Sequence, residues 1–355
     1  MRALQFSQPE RRLEVHEVPW PTASAPNDVV VRVSYAGVCG TDLHALYDTF
    51  PVSQDWLTMG HELSGVVAEV GSGVTTVSVG DRVAVDPNKG CGSCEFCKLG
   101  QVNFCPRGGI SDTLGFWRPG GWAAATVAPE HSVHRLPDGL PLCSAVLCEP
   151  LSCLIHALDQ FEPVPTQGRV LILGAGIIGV LVACMLHHRG ARNVTVSEPA
   201  AARRAVVDAL DLGFRTVTPD QLAAEFAPLT ERQLAAGGLD MVIDCSGVCS
   251  AIETAAGWLR MGGRLCLFGV PSAQERVALS PYLLVTREIT VRGILINPHT
   301  FPRATALAAE LYPRYLRPEK VGVQLFTLEE YPQALEKLKS GQICKAVFML
   351  DGSQE

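Results

Sequence analysis

Four cysteines in one short stretch, Cys91, Cys94, Cys97 and Cys105, follow the pattern C-x2-C-x2-C-x7-C. Four thiolates from one loop can close a tetrahedron around a metal ion and leave no position for water, which makes a structural site. Zinc fits this spacing, and iron–sulfur clusters use similar two-residue gaps. A second, looser set of donors is spread along the chain. Cys39 stands in Gly37-Val38-Cys39-Gly40-Thr41-Asp42-Leu43-His44, His61 and Glu62 follow Met59-Gly60, and Glu149 lies in Cys148-Glu149-Pro150-Leu151-Ser152-Cys153. A catalytic metal needs about three protein ligands of mixed sulfur, nitrogen and oxygen type, plus one open position. Cys39, His61 and Glu149, with Glu62 as a further candidate, supply that set. Cys153 lies four positions after Glu149 and shares its face if the stretch is helical. Cys148 and Cys153 could each serve as an alternative ligand, although free cysteine is more often a buried packing residue.

A third constellation follows an apolar run. Arg169-Val170-Leu171-Ile172-Leu173 reads as a buried parallel strand that enters Gly174-Ala175-Gly176-Ile177-Ile178-Gly179 and then an apolar helix through about Arg189. In a G-x-G-x-x-G turn the first glycine makes the bend, the second admits a pyrophosphate, and the third lets helix pack on strand. A second strand, Asn193 to Ser197, ends at Glu198, nineteen positions after Gly179. An acid there accepts from ribose hydroxyls and repels a 2′-phosphate, which favours NAD over NADP. Arg203 and Arg204 follow closely and keep NADP open.

The elements that must carry these groups divide the chain. Between Val29 and Val85 short β-branched runs alternate with glycine and aspartate, which predicts a compact, barrel-like β domain. After Val170, strands at 240–245, 263–269 and 289–294 alternate with helical stretches such as 251–260, which predicts a doubly wound α/β sheet. The 355 residues suit about two domains, and 47% hydrophobic against 18% charged residues exclude disorder. A net charge of −7 without a basic block argues against nucleic-acid binding and leaves small molecules as partners. The N-terminus lacks the apolar core of a signal peptide, and 351–355 carry no retention or lipidation signal. The uncharged run 170–186 barely reaches a membrane span, and the dinucleotide turn within it gives it another role. Asn193-Val194-Thr195 fits the glycosylation triplet but falls in a buried strand. Thirteen scattered cysteines suit a cytoplasmic chain, where clustered thiols bind metal.

Taken together, Gly-Val-Cys-Gly-Thr-Asp-Leu-His at 37–44, Gly-His-Glu at 60–62, the four-cysteine loop, Glu149-Pro150-Leu151-Ser152 and Gly-Ala-Gly-Ile-Ile-Gly at 174–179 resemble the zinc-containing medium-chain dehydrogenase/reductase superfamily, and its polyol (sorbitol- and arabinitol-like) branch in particular. The resemblance covers nearly the whole chain. It implies a GroES-like β-rich catalytic domain from 1–156 and 297–355, and a Rossmann NAD(P)-binding domain from 157–296. It implies two zinc ions, one structural on Cys91, Cys94, Cys97 and Cys105, and one catalytic on Cys39, His61, Glu149 and, in some states, Glu62. Liver-type alcohol dehydrogenases usually present a cysteine where Glu149 stands. Thr41 then matches the hydroxyl that contacts the substrate oxygen, and His44 the outer end of a proton relay. Gly174, Gly176, Ile177, Ile178, Gly179, Glu198, Arg203, Phe268, Gly269, Val270, Ile294, Leu295 and Ile296 fall where the family contacts NAD. Members form homodimers or homotetramers.

The chain departs from sorbitol dehydrogenases at one charged position. An arginine of theirs that contacts the polyol aligns here with Ile296 or Asn297. Phe116, Trp117 and Arg118, in Gly115-Phe116-Trp117-Arg118-Pro119, would line the substrate pocket with Thr41 and Asn297, and Arg118 could replace the missing contact. The expected activity is hydride transfer between NAD(P) and a secondary alcohol of a polyol or sugar-like substrate. The alternatives are a dehydrogenase of cyclic or apolar alcohols, an NADPH-preferring reductase, and a non-catalytic dinucleotide-binding protein.

Overall fold

Val29, Val30, Val31 and Val33 are all fully buried, because the strand Asp28–Gly37 that carries them pairs on both edges. Branched side chains suit such a pleated, enclosed position. In the computed structural model, which describes residues 1–47 and 51–350, this strand is central to a seven-stranded sheet. In order the sheet runs Val323–Phe326, Lys345–Met349, Asp28–Gly37, Leu63–Val70, Arg82–Val85 and Val133–Arg135, with Ala125–Pro129 also paired to Asp28–Gly37. Arg12–Glu17, Arg2–Ser7 and Leu57–Thr58 form a small antiparallel sheet. The last strands of the chain therefore lie in the first sheet, and Val347 pairs with Gly37.

The second large sheet is entirely parallel, in the order Arg215–Val217, Val194–Ser197, Val170–Leu173, Leu239–Asp244, Leu259–Leu267 and Thr290–Gly293. Val170–Leu173 is buried at every position, as expected where helices cover both faces. Residues 170–186 thus divide into this strand and the helix Ile177–His188. Among the described residues no helix is long and apolar enough to cross a membrane.

The helix expected at 251–260 is a correction: it spans Cys249–Gly257, and Leu259 already begins a strand. Leu239 pairs with Leu259 and Met241 with Arg264, so the extra residues of Met261-Gly262-Gly263 loop out of register. Pairing with the neighbouring strand Leu239–Asp244 overrides the helical pattern there. Residues 351–355 lie outside the described residues.

Candidate active site and cysteine lobe

Cys39 sits where Asp28–Gly37 turns into the helix Gly40–Tyr47, and His61 and Glu62 lead into the neighbouring strand Leu63–Val70. The Gly37 amide donates to the Glu62 carbonyl at 2.7 Å, which ties the two segments together. A side chain at position 37 would begin 2.1 Å from Glu62 Oε2, so glycine is required to let that carboxylate in. The result is one thiol, one imidazole and one carboxylate with ligand atoms all within 4.8 Å of one another.

This centre is built on charged partners. Asp42 Oδ2 accepts from the Cys39 amide at 2.8 Å, and Asp42 Oδ1 lies 3.4 Å from His61 Nδ1. That leaves His61 Nε2 for a metal, the usual carboxylate–histidine arrangement. Burial works against a charged His61, but the Asp42 carboxylate and the Cys39 sulfur outweigh it and hold the imidazole well above its ordinary value. Lys345, fully buried in the strand Lys345–Met349, pairs with Glu62. Asp42 Oδ1 and His61 Nδ1 face each other, and Glu62 Oε2 faces Lys345, as ion pairs outside ideal hydrogen-bond geometry. A thiol, an imidazole and a carboxylate that converge in this way fit a zinc ion of the catalytic type.

Glu149 stands in the first turn of the buried helix Cys148–Asp159, outside the mutually close trio. Its Oε1 accepts from the Cys153 thiol at 3.7 Å, one helical turn on. Burial pushes the Glu149 carboxyl up to about 7, against the pull of His61. Thr41 Oγ1 lies 3.6 Å from Cys39 Sγ, and His44 is one turn further along the same helix. Phe116 is buried with its ring 5.1 Å from that of His61.

Trp117 and Arg118 are committed elsewhere. Trp117 Nε1 donates to the Ile110 carbonyl at 2.8 Å. Arg118 donates to the carbonyls of Asp112 and Pro87 and pairs with the Asp112 carboxylate at 3.3 Å. Asn297 is buried between Asp86 and Asn88.

The four sulfurs of Cys91, Cys94, Cys97 and Cys105 also lie within 4.8 Å of one another. The Cys91–Cys97 and Cys94–Cys105 separations are 4.0 and 3.7 Å. Zinc–sulfur bonds of about 2.3 Å in a tetrahedron need sulfurs about 3.8 Å apart, so the lobe fits zinc. Backbone amides of Cys91, Cys94 and Cys97 donate to neighbouring sulfurs, and Arg107 donates to Cys91 Sγ at 3.4 Å. The Ser93 amide and hydroxyl and the Cys94 amide pull the Cys91 thiol down to about 5. Phe96 and Phe104 meet edge to face at 5.9 Å but remain exposed, so they cover each other and not a core.

Gly174 to Gly179, Glu198, Phe268 to Val270 and Ile294 to Ile296 all follow the carboxyl ends of parallel strands, where dinucleotides bind in such sheets. A side chain at Gly179 would begin 2.0 Å from the Gly174 carbonyl, which is the close helix-to-strand packing the turn requires. Glu198 is buried, with Oε2 accepting from the Ala175 amide at 2.7 Å and Oε1 from the Ala200 amide at 2.9 Å. Arg203 donates to the carbonyls of Ile343 and Leu338, and Arg204 to those of Glu198 and Pro199. Sequence reasoning gave no role to Asp42, Lys345 or Asp86. Lys345 does carry a signal, a lone charge in the apolar run Cys344-Lys345-Ala346-Val347-Phe348.

Comparison with known proteins agrees with this geometry. Residues 25–138 match the family described as "Alcohol dehydrogenase GroES-like domain", and residues 178–310 match "Zinc-binding dehydrogenase". The chain is 31% identical over 350 residues to D-arabinitol dehydrogenase 1 of Uromyces fabae, covering 97% of this chain and 96% of that one. It is 30% identical over 341 residues to sorbitol dehydrogenase of Halalkalibacterium halodurans, covering 94% of each. A structure from Sinorhizobium meliloti 1021, described as a zinc-binding dehydrogenase bound to NADP, superposes with a TM-score of 0.86 at 30% identity and 98% coverage of both chains. The chain therefore belongs to the zinc-containing medium-chain dehydrogenase/reductase superfamily, in its polyol-dehydrogenase-like branch, and is an oxidoreductase.

Proposed function

We propose that this chain transfers a hydride between NAD and a secondary hydroxyl of a polyol, with one zinc in the Cys39 pocket and one in the cysteine lobe. The observation that carries this reading is the convergence of Cys39, His61 and Glu62 on one point, backed by Asp42 and Lys345. Cys39, His61 and Glu149, with Glu62 in reserve through its pairing to Lys345, would hold the catalytic ion. When bound, that ion supplies Lewis acidity. The chain's own residues then have separate tasks. Thr41 receives the proton of the substrate hydroxyl, and His44, one turn further along the same helix, passes it outward. Phe116 keeps water from the His61 side. Gly174 to Gly179, Phe268 to Val270 and Ile294 to Ile296 would hold the dinucleotide at the carboxyl ends of the parallel strands, and it would supply the hydride acceptor.

The preference for NAD rests on Glu198, whose remaining lone pairs are available to ribose hydroxyls, and on Arg203 and Arg204, whose donors are held by backbone carbonyls. The NADP-bound neighbour favours the rival, an NADP-linked reductase, in which Arg203 or Arg204 would have to leave those carbonyls. The division at 1–156 with 297–355 and 157–296 follows from the same reading. A homodimer is supported by the Thr290–Gly293 edge strand and by Tyr282 and Val285, which are 70% and 80% exposed. Thirteen free thiols support the cytoplasm.

The test is nicotinamide reduction by zinc-replete protein with NAD and NADP across acyclic polyols, cyclic alcohols and apolar secondary alcohols, with zinc counted per chain. Turnover of polyols with NAD and two ions per chain is expected. Turnover of apolar alcohols alone would overturn the substrate class, and a preference for NADP would overturn the role of Glu198.

A further inference from the structure

The polar groups between the strand Arg82–Val85 and the segment returning from the parallel sheet form a chain with a fixed direction. The order is set at Asp86, whose carboxylate oxygen Oδ1 takes the Asn297 NH2 at 3.0 Å. Asn297 Oδ1 therefore accepts from the Asn88 NH2 at 2.8 Å, and Asn88 Oδ1 from Thr113 Oγ1 at 2.7 Å, a hydroxyl that also lies 3.2 Å from the Gly109 carbonyl. The Asn88 backbone amide reaches the same oxygen at 3.1 Å. Thr113, Asn88 and Asn297 are buried, so water has little access with which to reverse the order.

One oxygen of Asp86 is thus held by two donors. The other, Oδ2, has no protein donor among the described residues, and it is not among the buried orphaned atoms, so it opens onto space. Asp86 is half-buried, and the antiparallel pairing of Ser64 with Ala84 brings it out of its strand level with Glu62, at the end of the sheet that carries the metal pocket. The exit from its strand is pinned from the other side by Arg118, which donates to the Pro87 carbonyl at 3.3 Å. In its ionised form a carboxylate oxygen held this rigidly beside a reaction centre is a pure acceptor. It rewards a ligand that brings an O–H, and an apolar ligand that displaced its water would leave it unpaired.

We propose that Asp86 determines substrate specificity: its cleft-facing oxygen accepts a hydrogen bond from a second hydroxyl of the substrate, one that is not being oxidised. This rests on the polyol reading. It also accounts for how a polyol can be held if Ile296 or Asn297 takes the place of the charged side chain expected from the resemblance to sorbitol dehydrogenases.

The hydrogen-bond chain itself supplies the test. In Asp86→Asn, the Asn297 NH2 and the Asn88 amide both still need an acceptor at the inner position. The new amide must put its oxygen there and its NH2 in the cleft. The variant keeps the network and exchanges an acceptor for a donor at one point. Turnover with NAD would be measured on D-arabinitol and on 2-pentanol, which has the same carbon count and a single hydroxyl. Melting temperature and zinc content would check the fold. The expected result is a fall of about 10- to 100-fold in kcat/KM for the polyol, with the 2-pentanol value within about twofold of wild type. D-Arabinitol should also raise the melting temperature of the NADH-loaded wild type and not that of the variant. Equal losses on both substrates would reduce Asp86 to a packing residue, and an unchanged polyol preference would remove its role; either result overturns the proposal. A wild type that turns over 2-pentanol and no polyol would instead sink the polyol reading. If the Asn variant does not fold, Asp86→Ala is read in the same way.

Discussion

The two donor clusters share a chemistry and differ in how they are held. The cysteine lobe draws its four ligands from one stretch, 91–105, half-exposed and supported by backbone amides and Arg107. The Cys39 pocket draws on positions 39, 61 and 62 from two segments, with Glu149 of a third outside the close trio; it is largely buried and is supported by the side-chain charges of Asp42 and Lys345. A site that only has to be closed can be local, because amides of the same loop suffice to stabilise thiolates. A site that must stay open to substrate needs ligands from different elements, and its buried charges need partners from still others.

The sharpest way to separate the two is to remove one ligand from each. Cys39→Ser should lower turnover by at least about a thousandfold, roughly 4 kcal/mol in the barrier. NADH binding and the melting temperature should stay near wild type. Turnover that survives would move the reaction centre elsewhere. Cys94→Ser should do the reverse, lowering the melting temperature and the zinc count by one ion, with activity lost only as the lobe unfolds. Zinc analysis beside calorimetry reads both.

Removing a supporting charge should hurt the pocket through the group left behind. Lys345→Met strands Glu62 in a buried position, at a cost of about 3–5 kcal/mol in urea unfolding. A change below about 1 kcal/mol would mean that Glu62 has another partner. Asp42→Asn is milder: it keeps the shape and should weaken zinc binding and activity by about 10- to 100-fold. A competition assay with a zinc chelator would register the shift.

The smallest effect is one of pH, in the metal-free protein. Burial raises the carboxyls of Glu149 and Asp86 to about 7, so the folded chain holds protons that the unfolded chain has already released. Their contribution to stability is therefore present below about pH 4.5 and lost as pH rises towards 7. Glu149→Gln should flatten part of that slope and leave the Asp86 part. An unchanged slope would mean that Glu149 is ionised in the fold.

Much of this was legible in the residues. The cysteine spacing, the glycine turn and Glu198 are local patterns whose geometry follows from a few consecutive backbone torsions, and each appears where the pattern put it. Cys39, His61 and Glu62 were legible as donors. Only the pairing of Asp28–Gly37 with Leu63–Val70 brought them together, because strand register is set by which apolar face is buried along the whole sheet. The commitment of Arg118 and Arg203 to carbonyls could not be read, since an arginine side chain reaches several acceptors and only the packed surroundings select among them. Lys345 and Asn297 are the clearest cases. Each lies some 200 residues or more from its partner, Glu62 or Asp86, and the contact exists because the chain leaves the parallel sheet and returns to the first one. Sequence alone determined which groups could do the chemistry, because local spacing limits what a loop can bind. The tertiary fold decided which of them meet, because burial of the two sheets sets where distant segments cross and a buried charge is stable only beside a partner.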